Sequence, residues 1–400
     1  MKLQTTLIFG ALALTLAQGS AATRVFNITG ATAFRAAANN SILQMLGGTG
    51  VTEYAYTGTS GIGGTNRAIF KGTMAAFPGD TIIVRTSWSG STQGVLDLAD
   101  ANAIEFLKDE IGTGAGFNPV STTGVNLGQG SAEAAEYEAA VARWSFSDVD
   151  KLLSTRPNAP LTGGPVGVVP FMFLAGEGAP AGLTNMSDQL HNALWKVGQL
   201  PASMLTGNPA DAATTVLATG RNNGSGTRAT ILAETQYGAF TSVVQFNATY
   251  QGTRTEAYPT AKLLAISEFG NSGNSSNSGV RELLTRRGDA MTFAGDPVDA
   301  LFVSYLTISD ALAAKTEGAV ELTYNGVAYS EENVKNGKYT LWGYQQFYMG
   351  TSPTTEETTF DTALRATVPS HMGTAGIPIP AMNVQRTGGD GGPIFPIIAP

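Results

Sequence analysis

One pattern recurs along this chain: an apolar, β-branched segment is followed by a short loop rich in Gly, Ser and Thr, and then by a segment of helix-forming residues. Strands that alternate with helices through tight loops are typical of α/β proteins, in which helices cover the faces of a sheet. We therefore predict an α/β fold. The predicted strand and helix of each unit are 24–28 and 34–46, 81–85 and 95–107, and 215–218 and 229–236.

The length of the chain bears on how many folding units it forms. Its 400 residues exceed the roughly 250–300 residues that one hydrophobic core usually organises. We predict two α/β lobes with a ligand cleft between them. The first lobe comprises 23–162 and 313–387, with an insertion at about 105–145, and the second lobe comprises 163–312.

Three further segments have compositions that indicate local structure. The Ala and Glu residues at 131–143 predict a helix within the insertion. Gly, Asn and Ser dominate residues 268–280, which we interpret as an exposed flexible loop without a role in binding. Residues 388–400 are rich in Gly and Pro, and we expect them to form a flexible tail.

The first residues, 1–22, have the features of a secretory signal peptide. A basic start at Lys2 is followed by an uncharged apolar segment, 7–17, and by small residues that end at Ala22. The apolar segment is shorter than the roughly 20 residues that a helix needs to span a bilayer. We therefore expect cleavage near Ala22 and a periplasmic or secreted mature protein that is not inserted in a membrane.

The amino-acid composition excludes several kinds of site and argues against several kinds of partner. The chain has no Cys and two His, so disulfides and thiol nucleophiles are excluded, and no histidine-based metal site is indicated. Its formal net charge of −8 argues against nucleic acid or an anionic membrane as a partner, because both attract clustered Lys and Arg. The order Gly224-Ser225-Gly226 lacks the Gly-x-Ser-x-Gly spacing of a hydrolase nucleophile. We predict no metal, no cofactor and no catalytic residues.

The loop that opens the third predicted helix is the most informative segment for function. In Arg221-Asn222-Asn223-Gly224-Ser225-Gly226-Thr227, glycines flank a hydroxyl at a helix start, so that backbone amides and hydroxyls can face one anion. Arg221 adds a planar guanidinium suited to oxyanions. The alternative is an N-capped surface helix, which so short a pattern also fits.

The other two predicted helices begin in a similar way. Thr32-Ala33-Phe34 and Ser89-Gly90-Ser91-Thr92 each offer main-chain amides and a hydroxyl at a helix N-terminus, where the helix dipole favours anions. Three such termini could converge on one ligand. Each of them, taken singly, is also explained by an ordinary helix cap.

These loops and several neighbouring segments carry a resemblance to a known family. The segments are 28–34, 89–95, 146–148, 221–227, 321–327 and 332–342. Taken in this order, they resemble the periplasmic phosphate-binding proteins of ABC importers, which have the type II periplasmic-binding-protein fold. The resemblance extends from about residue 25 to about residue 350, interrupted by the insertion.

The resemblance implies a set of ligands for phosphate. They are Thr32, Ala33, Phe34, Ser91, Asp148, Arg221, Ser225, Gly226 and Thr227. It also implies that Asp148 accepts a hydrogen bond from a protonated phosphate, which selects against sulfate because sulfate has no proton to donate. The chain departs from the family at Asn223 and Gln93, and we expect the nearby Arg228 to point to solvent.

For function, the resemblance implies an exported solute-binding protein, a monomer without enzymatic activity, that binds phosphate or a similar tetrahedral oxyanion. It also implies an ABC permease complex as a partner in uptake. An envelope or extracellular surface protein that keeps this fold with a different ligand, or with none, is the alternative that the sequence leaves open.

Overall fold

The structure is a computed structural model that describes residues 21–47, 53–58, 61–108, 125–127, 137–252, 262–288 and 290–398. The predicted signal peptide, almost in full, and much of the predicted insertion lie outside these residues. The strands are β1 (Thr23–Gly30), β2 (Glu53–Tyr56), β3 (Arg67–Gly72), β4 (Thr81–Ser87), β5 (Ala103–Leu107), β6 (Val125–Asn126), β7 (Tyr137–Val141), β8 (Trp144–Ser147), β9 (Thr162–Ala175), β10 (Asn185–Met186), β11 (Gln199–Pro201), β12 (Thr215–Ala218), β13 (Gln245–Gln251), β14 (Lys262–Gly270), β15 (Thr292–Phe293), β16 (Asp296–Pro297), β17 (Ala300–Thr307), β18 (Val320–Tyr324), β19 (Trp342–Met349), β20 (Val384–Arg386) and β21 (Ile394–Pro396).

The helices lie between these strands. The α-helices are α1 (Arg35–Gly47), α2 (Gly61–Gly64), α3 (Ser91–Ala99), α4 (Asp188–Val197), α5 (Ser203–Thr206), α6 (Gly226–Glu234), α7 (Asn277–Thr285), α8 (Ile308–Thr316), α9 (Glu331–Lys335) and α10 (Thr355–Thr367). Short 3-10 helices are Lys151–Leu153, Pro209–Ala213, Val368–His371, Gly373–Ala375 and Ile379–Ala381. Among the described residues, none of the helices has the length and apolar character needed to cross a membrane.

One mixed sheet of 13 strands organises the described part of the chain. Its strand order is β6-β2-β3-β4-β1-β8-β19-β9-β17-β12-β11, with β18 beside β9 and β10 beside β18. The long strand β9 belongs to both halves of this sheet, because Thr162 to Pro170 pair with β19 and Phe171 to Ala175 pair with β17. The predicted two-lobed α/β fold is confirmed, and one lobe passes into the other along β9.

Parallel strands carry the loops that face the cleft. β1 lies between β4 and β8 and is parallel to both, with Thr29 opposite Ser87 and Ser145. α1 follows β1 and α3 follows β4, so these helices begin at the same edge of the sheet, beside the end of β8. In the second lobe, α6 follows β12 and α8 follows β17, and these two strands are also parallel neighbours.

The core explains why these strands are apolar. All eight residues of β17 are buried, as expected of a strand that is covered on both faces. The largest core cluster extends through both lobes and includes the fully buried indoles of Trp144, Trp195 and Trp342. Because Trp342 opens β19, the core reaches the strands at which the lobes join.

Two predicted helices differ from the structure. The helix expected at 95–107 ends at Ala99, because the chain turns at Ala101 (φ 51°) and then enters β5. The helix expected at 131–143 is wrong in its described part, because residues 137–141 form β7 and pair antiparallel with β5. The Ala and Glu residues of β7 favour a helix locally, but strand pairing with a distant segment decides the conformation.

The C-terminal segment also differs from the flexible tail expected at 388–400. Within its described residues, β21 pairs with β20, and Asp390 is buried. The carboxylate of Asp390 accepts hydrogen bonds from the backbone amides of Asp150 (2.6 Å) and Tyr344 (3.0 Å). These bonds hold the segment against the first lobe and against β19.

The predicted lobe boundaries stay predictions, but strand pairing bears on one of them. β18 pairs with the second-lobe part of β9 and with β10, although it follows residue 312. We therefore propose that the chain returns to the first lobe between β18 and β19, later than the sequence indicates.

Candidate ligand-binding site

Loops from the two lobes meet at the carboxylate of Asp148, directly after β8. Ser91, the first residue of α3, donates a hydrogen bond to Asp148 Oδ1. From the second lobe, Thr227 donates to Asp148 Oδ2 at 3.0 Å, and Thr230 donates to the backbone carbonyl of Asp148 at 2.9 Å. Asp148 is only 2 % exposed, so one buried carboxylate joins the two lobes.

Burial also affects how readily this carboxylate binds a proton. The pKa of Asp148 is raised by burial, while the hydroxyls of Ser91 and Thr227 and the charge of Arg221 oppose the rise. Burial penalises the charged form of a carboxyl group, and hydrogen-bond donors stabilise it. Asp148 is therefore a hydrogen-bond acceptor that binds a proton more readily than an exposed aspartate does.

Gly226 allows this close approach of the two lobes. A Cβ atom at this position would overlap Asp148 Oδ1 and lie 2.7 Å from Ser91 Oγ. A residue with a side chain would therefore push the start of α6 away from the first lobe. The glycine that the sequence suggests for anion binding has a packing role as well.

A second contact between the lobes lies next to the first. Thr92 Oγ1 donates a hydrogen bond of 2.6 Å to the carbonyl oxygen of Gly224. Gly90 precedes α3 with a φ of 109°, and a Cβ there would lie 3.3 Å from the same oxygen. The first-lobe loop and the second-lobe loop are thus in direct contact, and the cleft is closed at this point.

Arg221 is a buried cation, with only 4 % of its surface exposed. Its guanidinium donates to the carbonyl oxygens of Asn274 (3.2 Å) and Ser275 (3.0 Å) and to Asn277 Oδ1 (2.7 Å). The pKa of Arg221 is lowered by burial, and the charge of Asp148 opposes this effect. Within the described residues no carboxylate forms an ion pair with Arg221. A buried cation that has only neutral acceptors favours an anion beside it.

The acceptors of Arg221 correct part of a prediction made from the sequence. Residues 268–280 are expected from the sequence to form an exposed flexible loop without a role in binding; the structure differs at the two ends of this segment, while residues 271–276 are exposed or half-buried. The segment includes the end of β14 and the start of α7, and it holds the guanidinium in place. Asn277 is itself fixed, because its amide donates to Thr307 Oγ1 at 3.1 Å.

Arg228 is a second correction, because it does not point to solvent. It is 3 % exposed and donates to the carbonyl oxygens of Asn271 (2.8 Å) and Arg221 (3.3 Å). Eight of the nine residues of α6 are buried, so the helix has almost no solvent face for a cation to use. Arg228 instead ties α6 to the backbone of the neighbouring Arg221.

The remaining predicted ligands described here, Phe34, Thr32, Ala33 and Ser225, differ in what they contact. Phe34 is buried, its ring lies 5.5 Å from that of Phe146, and its amide donates to the carbonyl of Ala31 at 3.4 Å. Thr32 and Ala33 line a cavity between the lobes. Ser225 is the N-cap of α6, because its hydroxyl accepts from the Arg228 amide at 3.4 Å.

The two departures from the family pattern lie at the edge of this arrangement. Gln93 donates to Asp97 Oδ1 at 2.8 Å within α3. Asn223 is exposed and lines a cavity of about 180 Å³ together with Thr92, Arg228 and Phe240. Neither side chain donates to Asp148.

The structure therefore brings Ser91, Asp148, Gly226 and Thr227 into contact, with Arg221 near enough to affect the charge of Asp148. Two helices, α3 and α6, begin at this point. Helix N-termini present free amides and a positive potential, which favours an oxyanion. Sequence reasoning missed Asn277 and the backbone oxygens of 274 and 275, because nothing local marks a segment more than 50 residues away as the partner of Arg221.

Comparison with solved structures finds similar folds. One is a protein of Clostridium perfringens, solved with bound phosphate and assigned to the substrate-binding proteins of phosphate ABC transporters. The two chains are 11% identical, the match covers 89% of this chain and 100% of that chain, and the TM-score is 0.49. Another is an ABC-type phosphate transport receptor from Vibrio cholerae, 11% identical over 88% of this chain and 99% of that chain, with a TM-score of 0.46. A third is PstS from Borrelia burgdorferi, 12% identical over 89% and 98% of the two chains, with a TM-score of 0.41. No protein-family model matches the sequence, and no curated protein matches it.

Proposed function

We propose that this protein binds phosphate, or a closely related tetrahedral oxyanion, in the cleft between its lobes. The observation that carries the proposal is Arg221, a buried guanidinium whose described hydrogen bonds all go to neutral oxygens. It lies within electrostatic range of Asp148, where hydroxyls from both lobes converge. Such a site combines a fixed cation with preorganised donors.

The role of Asp148 follows from its chemistry. A carboxylate repels a fully ionised anion, but it accepts a hydrogen bond from an anion that still carries a proton. Phosphate carries such a proton near neutral pH, and sulfate does not. We propose that Asp148 gives the site its preference for phosphate, and that Ser91 and Thr227 donate to the anion when it binds.

We further propose that the protein is a binding protein rather than an enzyme. His191 is buried in α4, its ring stacks on Trp195 at 4.4 Å, and burial lowers its pKa to about 4. His371 contacts Gln44. Both histidines have structural surroundings, so the site has hydrogen-bond donors and a cation but no evident base from a histidine.

The proposal includes export and uptake. The residues at 1–22 predict a signal peptide, and we propose that the exported monomer delivers its ligand to an ABC permease complex. N-terminal sequencing of the exported protein is expected to begin within a few residues of Thr23. A mature protein that retains Met1 contradicts export by this route.

One observation favours the alternative of a surface protein without a ligand. The hydroxyls of Ser91 and Thr227 both donate to Asp148, so these polar groups satisfy one another within the protein. A folded protein can therefore keep this arrangement for stability alone. Ligand-binding measurements distinguish the two functions.

The function is tested with a matched pair of arginine variants. Arg221→Gln removes the buried cation, whereas Arg156→Gln removes an exposed arginine that pairs with Asp100. Charge-assisted hydrogen bonds contribute roughly 1.5–3 kcal/mol each, so Arg221→Gln is expected to lose at least about 10-fold in phosphate affinity. Arg156→Gln is expected to bind as the wild type does. Equal affinities for all three proteins would contradict the proposed site.

A further inference from the structure

Arg35 is a cation at the edge of the cleft that the proposed anion site does not use. It is the first residue of α1 and follows Thr32 and Ala33 closely. Its Nη1 donates to Asn66 Oδ1 at 2.6 Å. It is partly buried, and within the described part of the chain no carboxylate is close enough to form an ion pair with it. The charge of Asp310, from the second lobe, still reaches it.

A cavity of about 160 Å³ lies beside Arg35 and between the lobes. Thr32, Ala33 and Arg35 line it from the first lobe, and Asn277, Ser278 and Asp310 line it from the second. The cavity lies next to Arg221, because Asn277 lines it and accepts a hydrogen bond of 2.7 Å from Arg221, and the charges of Arg35 and Asp310 both reach Arg221. A ligand held at Arg221 therefore has room for a substituent on this side.

The size and polarity of the cavity define the substituent. A protein cavity of about 150 Å³ accommodates benzene, which has six heavy atoms, and a glycerol group has the same number. Arg35 supplies donors, Asp310 supplies acceptors and Ser278 supplies both. Alcohol groups match such a mixed lining because each can donate and accept, whereas Asp310 would repel a second anionic group.

We propose that the ligand is a phosphate monoester with a small polyhydroxylated substituent, such as a glycerol phosphate. The phosphate group binds in its singly protonated form at Asp148 and Arg221, so that its hydroxyl donates to Asp148. The substituent occupies the cavity, where Arg35 donates to its hydroxyls. This inference rests on the proposed function and adds the class of organic group that the ligand carries.

Calorimetric titrations with glycerol 1-phosphate, inorganic phosphate and glycerol at about pH 5 test the inference. A phosphate monoester loses its second proton at a pKa of about 6, so at this pH it still carries the proton that Asp148 accepts. The wild type is expected to bind the ester at least about 10-fold more tightly than inorganic phosphate, which is the effect of one charge-assisted hydrogen bond, and glycerol alone only weakly. Arg35→Gln is expected to abolish most of this advantage. Ala36→Leu fills the cavity, in which Ala36 is a lining residue, and is expected to remove the advantage while Arg35 is retained.

The readout is the ratio of ester affinity to phosphate affinity in each protein, with thermal unfolding to confirm that the variants fold. If phosphate binds and the ester does not bind more tightly, the inference is overturned and the proposed function stands. An ester advantage that survives both Arg35→Gln and Ala36→Leu overturns it as well, because the cavity then has no part in binding. If neither phosphate nor the ester binds, the proposed function fails and the inference fails with it.

Discussion

Thr227, on the second lobe, donates a hydrogen bond of 3.0 Å to the carboxylate of Asp148, on the first. This bond crosses the cleft at the point where α6 begins. It therefore links the closure of the lobes to Asp148, the group that we propose distinguishes a protonated anion from a fully ionised one. A change at Asp148 acts on selectivity, and a change at the start of α6 acts on closure.

Asp148→Asn is expected to change selectivity more than total affinity. The amide still accepts hydrogen bonds, but it no longer repels a fully ionised anion and it can donate to one. Sulfate affinity is therefore expected to rise relative to phosphate affinity, by about 10-fold or more. Calorimetric titration of each variant with both anions measures this ratio. A ratio equal to that of the wild type would show that Asp148 does not select the ligand.

Gly226→Ala is expected to prevent the lobes from closing around a ligand. The added Cβ overlaps Asp148 Oδ1, and overpacking of this kind costs about 1–3 kcal/mol, which corresponds to a loss of roughly 5- to 150-fold in affinity. Gly224→Ala is the control, because its Cβ would approach no atom closer than Asn222 Oδ1 at 4.0 Å. Comparable phosphate affinity in the two variants would be evidence against the close approach at Gly226.

Arg228→Gln is expected to destabilise the protein, because Arg228 is buried and its guanidinium satisfies the carbonyl oxygens of Asn271 and Arg221. Leaving buried acceptors without donors costs about 1–3 kcal/mol. Arg287→Gln, at an exposed arginine that pairs with Asp299, is the matched control. Urea unfolding measures both. If Arg228 pointed to solvent, as the sequence alone indicates, the two variants would be equally stable.

How far the sequence predicts this site depends on whether the contacts are local. The helix start at Ser225-Gly226-Thr227 is visible because its signals lie within a few residues of one another, and the same holds for the strand-loop-helix unit at Ser91. The acceptors of Arg221 lie more than 50 residues away along the chain. The Gly, Asn and Ser residues around these acceptors predict a flexible loop, because composition does not show which distant cation a backbone carbonyl oxygen will contact.

The burial of Arg228 and the structure of the C-terminal segment escape sequence analysis for a related reason. Both depend on how tightly the other elements of the second lobe and the C-terminal segment pack against α6. Gly391 illustrates this, because a Cβ there would lie 2.6 Å from the carbonyl oxygen of Ala233. A flexible tail and a tightly packed segment can both be rich in Gly and Pro. Composition therefore does not distinguish them, whereas the tertiary structure does.

The stability of the protein is expected to depend on pH through Glu234, at the end of α6. Burial raises the pKa of Glu234 from 4.5 to about 7, while Arg386, 2.7 Å away, opposes the rise and Asp188 adds to it. Because the folded protein binds this proton more tightly than the unfolded chain does, the contribution to stability is complete below about pH 4.5 and is lost as the pH rises to about 7. The change amounts to about 3 kcal/mol.

Glu234→Gln tests this dependence. Urea unfolding between pH 4.5 and pH 7 is expected to show a smaller decline in the free energy of unfolding for Glu234→Gln than for the wild type. Glu105→Gln, at an exposed carboxylate that pairs with Arg67, is expected to keep the slope of the wild type. An unchanged slope in Glu234→Gln would mean that Glu234 does not titrate in this range.

The most direct test of the central claim is a calorimetric titration of the wild-type protein with phosphate and with sulfate. The protein is first unfolded and refolded, so that any ligand bound during purification is removed. Binding of phosphate in a one-to-one ratio, with weaker binding of sulfate or none, is the predicted result. The absence of heat with phosphate and with a phosphate monoester would contradict the account and favour a surface protein that keeps this fold without binding an oxyanion.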